Sequence, residues 1–371
     1  MHITPFAVEQ WMNNTETRCR HNLAETCVHS ISLAELKTLA GVNGGLLDAL
    51  YEDPLTYGAI EGSERLRAAI AATYEAHEPA NILTTHGTIG ANDLAWRALA
   101  DAGDVVVSIV PTYQQHTAIP ASLGAEVREL RLMASDAYLP DLDALRKLAR
   151  GATVISLVNP NNPTGALLPP ATLEDIAAVA RAEGAYVLCD EVYRGTGQEG
   201  SGLTPSIVDV YEKGIATGGL SKAYALAGLR VGWIAGPPDI LEAAMRHRDY
   251  TTISVGVLDE HLAAIALEAR AALLARAREI TRANLETLTR WVNTTPQVDW
   301  VPPTGGTVTL LGYHAKAGSY ELCRALLDET GVLLTPGAAF GEEGKMRIGF
   351  ANRPQALAEG LPKLGAFLSK L

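Results

Sequence analysis

The stretch GGLSKAYALAGLRVGW, residues 218–233, places one lysine, Lys222, among small and apolar neighbours, with Arg230 eight positions on. A buried ammonium is costly. That cost predicts a lowered pKa and a neutral amine able to attack a carbonyl carbon. The plainer alternative is a loop lysine that reaches solvent. A second group stands in LCDEVYR (188–194), where Asp190 ends an apolar run and Tyr193 follows three residues later. A carboxylate there needs a cationic partner, either a ring N–H or an arginine.

Four further sites suit a flat, anionic ligand. In THGTIGAN (85–92), small residues at a helix start let the amides of Gly87, Thr88 and Ile89 approach an anion. Tyr113 of PTY (111–113) suits stacking on a planar ring. NPNNPTG (159–165) is a defined turn that presents Asn162, whose amide can donate to a phenolate oxygen. Arg230 suits bidentate contact with a phosphate. In KMRIGFAN, Arg347 lies in an apolar strand and suits a carboxylate ligand, with an internal ion pair as the alternative.

These groups all need a scaffold that gathers them at one edge. From about residue 80 to 235, β-branched apolar runs such as DVVVSIV and ATVISLV alternate with helical stretches such as LEDIAAVARAEG. That alternation predicts an α/β fold with a mostly parallel sheet, helices on both faces, and ligands at the carboxyl ends of the strands. Residues 257–293 read as one long helix, followed by a smaller α+β unit, and the first forty residues read as mostly helical. The expected division is an N-terminal segment (1–42) packing on the small domain and the active site, a large domain (43–256), and a long helix with a small C-terminal domain (257–371).

A chain of 371 residues is long for one core. With 47% hydrophobic and 19% charged residues it should fill a globular interior. Its net charge of -12, without basic runs, argues against nucleic acid. The four cysteines, at 19, 27, 189 and 323, have no metal-like spacing and read as reduced thiols. The N-terminus lacks a signal-peptide pattern and no apolar run spans a bilayer, so a cytoplasmic protein without membrane contact is expected.

Taken in order, YGAIEG with Tyr57, GTIGA, PTY, NPNNPTG, DEVY, SKAYALAGLRVG and MRIGFAN resemble the class I/II aminotransferases, the fold-type-I pyridoxal-phosphate enzymes. The resemblance implies an aspartate aminotransferase-like large domain with a seven-stranded-type sheet. It implies that Lys222 forms a Schiff base with pyridoxal phosphate and later moves the Cα proton. Asp190 would hold the ring nitrogen, Tyr193 and Asn162 the phenolic oxygen, and Tyr113 the ring face. Thr88, Ile89, Ser221 and Arg230 would hold the phosphate, and Arg347 the substrate α-carboxylate. Tyr57 would reach the phosphate site of a neighbouring subunit, implying a homodimer. Many relatives carry serine where this chain has Gly219.

VEQW, VHSISLAEL, HRDYTTIS and GKMRIGF are similar to the arginine-processing branch that includes capreomycidine synthase. In that branch an N-terminal segment closes on the substrate. Glu9 and His29 occupy the matching places, with Glu25 as a further acidic candidate. An ordinary exposed glutamate and a helix-start histidine are the plainer readings. Transamination is the simplest outcome. Elimination, replacement or cyclisation at the β or γ carbon of an arginine-like amino acid is the alternative. A non-catalytic sensing domain is disfavoured by the intact Lys222 and by the lack of room for a DNA-binding domain.

Overall fold

The computed structural model describes residues 2–371. Its main sheet has seven strands in the spatial order Ile82–His86, Val231–Ala235, Gly214–Gly219, Tyr186–Asp190, Val154–Val158, Val105–Val110 and Glu126–Arg131. Val231–Ala235 runs antiparallel to both neighbours, and the other pairs are parallel. Alternate residues enter opposite cores, as a strand period of two requires. Val107, Ile155 and Val187 join one apolar cluster, while Val106, Val154 and Leu188 join another.

A four-stranded antiparallel sheet, ordered Thr335–Pro336, Lys345–Gly349, Val308–Tyr313 and Val298–Trp300, carries Arg347. Its core shares a cluster with Trp11, Leu23 and Ala24 of the N-terminal segment. No helix among the described residues is long and apolar enough to cross a membrane.

Two expectations from sequence need correction. The 257–293 helix is two helices, Val257–Glu268 and Arg270–Asn293, broken at Ala269. The first buries every residue from Leu262 to Leu267, whereas the second buries a single stripe from Leu273 to Val292. A bend lets one piece enter the main core and the other lie across the surface of both units. The first forty residues are also less helical than expected. Helices cover Ala7–Thr15 and Leu33–Leu39, the latter closed by a Ser32–Glu35 capping box. Most of the chain between them is extended, and His21–Asn22 pairs with Val332–Leu333. That extended stretch brings Glu25 to the site.

Candidate active site

A cavity of about 500 Å³ opens at the carboxyl edge of the main sheet. Its lining includes Lys222, Asp190, Tyr113, Asn162, Tyr193 and Arg347. Thr88, Ile89, Ser221 and Arg230 reach it from one end, and Glu9 and Glu25 from the N-terminal segment. Gly87 begins the helix Gly87–Leu99, and a side chain there would lie 2.7 Å from the Arg230 guanidinium. Three predicted residues, Gly87, Tyr57 and His29, are not part of the lining. Tyr57 lies on an outer loop with 78% of its surface exposed. His29 turns towards Arg353, whose Nε lies 3.3 Å from His29 Nε2. Burial, then the Arg353 and Arg276 charges, lower the His29 pKa.

Asp190 is fixed by neighbours on three elements. Its Oδ1 accepts from Val192 N at 3.0 Å and its Oδ2 from Asn92 Nδ2 at 2.8 Å. Asn92 is oriented in turn by Thr217, which donates to its Oδ1 at 2.6 Å, and by Gln115, whose Oε1 accepts from Nδ2 at 3.1 Å. His116 bonds Ser156 Oγ through Nδ1 at 2.8 Å and turns its Nε2 to within 3.7 Å of Asp190. Asn92 and His116 were missed from sequence. A signal existed for Asn92: it falls four residues after Thr88 on a helix whose buried face is otherwise mostly apolar.

Arg347 is buried in its strand without a carboxylate. Its Nη1 donates to Asn162 Oδ1 at 3.0 Å, its Nη2 to Thr335 Oγ1 at 3.2 Å and to Ala24 O at 3.4 Å, and its Nε has no partner. The Phe340 ring lies 5.0 Å from the guanidinium carbon. Because Asn162 accepts through oxygen, its NH₂ group stays free to donate into the cavity.

Lys222 donates to Thr26 Oγ1 at 2.5 Å and lies 3.5 Å from Cys27 Sγ. Its pKa is displaced opposite to the expectation from sequence. Burial disfavours the charge, but the facing Cys27, Tyr193 and Glu25 outweigh burial and Arg347 and raise it. Glu25 folds back to accept from the amides of Thr26 and Cys27, both at 2.7 Å. Burial opposes its charge, yet the Cys27 amide and Lys222 hold its pKa below the ordinary value. Tyr113 donates to Glu9 Oε1 at 2.9 Å. Burial, then Glu9, push its phenol well up, so it remains a donor.

Gly219 has a steric explanation. A Cβ there would overlap Thr88 Oγ1, so the Thr88 hydroxyl takes the room that a serine would need. That hydroxyl is buried without a partner. An unpartnered hydroxyl at a helix start beside Arg230, with a fixed carboxylate on the same cavity, fits a group carrying phosphate at one end and a ring nitrogen at the other.

The family model for aminotransferase class I and II matches residues 50–361. The chain is 32% identical to capreomycidine synthase of Streptomyces vinaceus, covering 95% of this chain and 91% of that one. It is 29% identical to an aspartate aminotransferase of Streptomyces avermitilis, covering 85% and 82%. Among solved structures it is similar to a pyridoxal-phosphate-dependent aminotransferase from Streptococcus suis, with a TM-score of 0.96, 38% identity and coverage of 100% and 99%. It is also similar to the pyridoxal-phosphate-dependent cyclase OrfR, with a TM-score of 0.92, 29% identity and coverage of 100% and 98%. The chain belongs to the class I and II aminotransferases, enzymes of the aspartate aminotransferase-like fold that depend on pyridoxal phosphate.

Proposed function

We propose that this enzyme acts at Cα of an amino acid, most simply by transamination, with Lys222 as the proton-carrying residue. The observation that carries this reading is Arg347. A buried guanidinium with an unpartnered Nε, on the same cavity as a half-buried lysine, calls for an external carboxylate. Bound pyridoxal phosphate supplies an electron-withdrawing ring that acidifies the Cα–H bond. The chain does the rest. Thr88, the amide of Ile89, Ser221 and Arg230 hold the phosphate. Asp190, braced by Asn92, takes the ring N–H. The Asn162 amide and the Tyr193 phenol take the phenolic oxygen, and Tyr113 covers the ring. Arg347 anchors the α-carboxylate, which leaves the substrate side chain facing Glu9 and Glu25. That pair suits a cationic side chain.

A second reading keeps these roles and changes the outcome to elimination, replacement or cyclisation at the β or γ carbon. Its support is the acidic N-terminal wall, together with the similarity to capreomycidine synthase and to a cyclase. Incubation with single amino acids, with and without a keto acid, followed by mass analysis, separates the two. Amine exchange that requires a keto acid supports transamination. Loss of a side-chain substituent without an acceptor supports the second reading. In either case Arg347→Ala should raise KM at least about tenfold, the value of a charged hydrogen bond. An unchanged KM would place the carboxylate elsewhere.

A homodimer with shared sites is part of the same reading. Tyr51, Leu55 and Tyr57 are exposed on the 51–60 loop, and Tyr250 and Leu258 on the 250–258 segment. The two segments touch where Gly58 meets Val255 and Val257. An apolar face of this kind marks an interface. Sedimentation as a monomer at micromolar concentration would overturn the assignment.

A further inference from the structure

The extended N-terminal stretch does more than wall the cavity. Thr26 is placed by three contacts that do not involve its hydroxyl. Its N–H donates to Glu25 Oε1 at 2.7 Å, its C=O accepts from Thr307 Oγ1 at 2.6 Å, and the preceding carbonyl, of Glu25, passes so close to Gly349 that a Cβ there would overlap it. The backbone N–H of Val28 also donates to the Lys222 carbonyl at 3.3 Å. The hydroxyl is thereby delivered to Lys222 Nζ, at 2.5 Å, from a segment remote in sequence. An oxygen that accepts from an ammonium turns its own proton away from it.

We propose that Thr26 is a positioning residue for Lys222: its hydroxyl accepts from the ammonium and fixes where the amine rests. The proposal rests on Lys222 being the proton carrier. An amine that must hold a proton and release it gains from one defined resting acceptor, because a four-carbon stem otherwise samples many rotamers. The other charged or titratable groups facing Lys222 are Glu25 and Cys27 from the same segment, Tyr193 beyond the strand Tyr186–Asp190, and Arg347 from the small sheet. Of these, only Cys27 is within hydrogen-bonding range of Nζ, and at 3.5 Å its thiol is a weak acceptor. Proton holding is thus tied to the seating of the N-terminal segment, which also carries Glu9 and Glu25.

The test compares Thr26→Val, which keeps the shape, with Thr26→Ser, which keeps the hydroxyl. In each full-length chain, stripped of cofactor, Lys222 is labelled with trinitrobenzenesulfonate across a pH series and quantified by mass spectrometry. The Thr26 oxygen favours the charged amine, so its loss lowers the pKa of Lys222. The labelling midpoint of Thr26→Val should fall by about one pH unit, and Thr26→Ser should return it to the parent value. A Thr26→Val midpoint equal to the parent's, or equal shifts in both variants, would overturn the proposal. Failure of the reading beneath it shows separately, as turnover that survives Lys222→Ala.

Discussion

The strand ends of the main sheet and the extended N-terminal stretch meet at one cavity but are held by different means. The strand-end wall is locked from behind. Asp190 leans on Asn92, Asn92 on Thr217 and Gln115, and the 159–165 turn is tied internally by Asn161, which accepts from Thr164 Oγ1 at 2.7 Å and donates to Pro111 O at 3.2 Å. From Leu23 to His29 the opposite wall is largely strung by backbone contacts: Leu23 to Leu333 and Gly349, Val28 to Lys222 and His29 to Ala351. A wall buried in a sheet core keeps its geometry as long as the fold stands. A wall strung across two units can shift without unfolding either. The first therefore suits a permanently bound ring, and the second suits the exchangeable substrate.

Removing Lys222, the proposed proton carrier, should break this division most severely. Lys222→Ala is expected to lower kcat by about a thousandfold or more, the scale of a lost general acid–base group, while circular dichroism and melting stay near the parent's. A variant that kept a tenth of its turnover would remove Lys222 from the centre of the scheme. Next comes the brace behind Asp190. Asn92→Leu keeps the volume and deletes one donor to a buried carboxylate, a loss of about 1–3 kcal/mol. Cofactor affinity, read by fluorescence titration, should fall roughly tenfold or more, with KM almost unchanged. A loss confined to KM would mean that the strand-end wall also handles substrate.

Gly349→Ala strikes the other wall. The added methyl group cannot fit beside the Glu25 carbonyl, and Leu23 O, which accepts from Gly349 N at 2.7 Å, lies on the same approach. The segment must move, at about 1–3 kcal/mol for overpacking. KM should rise about tenfold while cofactor affinity holds. Equal damage to both would show that the two walls are one unit.

The same contrast explains what was legible in the sequence. Strand-end chemistry sits where apolar runs stop, so Asp190 and Asn162 could be placed at strand ends by periodicity and turn residues, while their roles and that of Lys222 came from the family resemblance. The mostly parallel sheet followed from the alternation of strands and helices, and its seven strands from the family resemblance. The extended stretch from 19 to 31 has no period to detect, and its site residues depend on contacts with segments some 200 to 320 positions away. Thr26 was invisible for that reason, and His29 misleading, since its backbone bonds Ala351 while its ring faces Arg353. The bend at Ala269 was equally hidden, because both flanking helices carry helical patterns and only the environment changes.

The smallest expected effect is the sharpest probe of the substrate wall. Glu9→Gln retains an oxygen able to accept from the Tyr113 hydroxyl and removes only the charge. Glu9 is part-exposed, so screening limits its attraction for a cationic side chain to about 0.2–1 kcal/mol, or up to about fivefold in affinity. KM for arginine should rise by that factor at low salt and by less at high salt, while KM for a neutral amino acid should not move. A salt-independent loss shared by both substrates would assign Glu9 to packing against Tyr113 and leave Glu25 as the remaining acidic contact for the substrate.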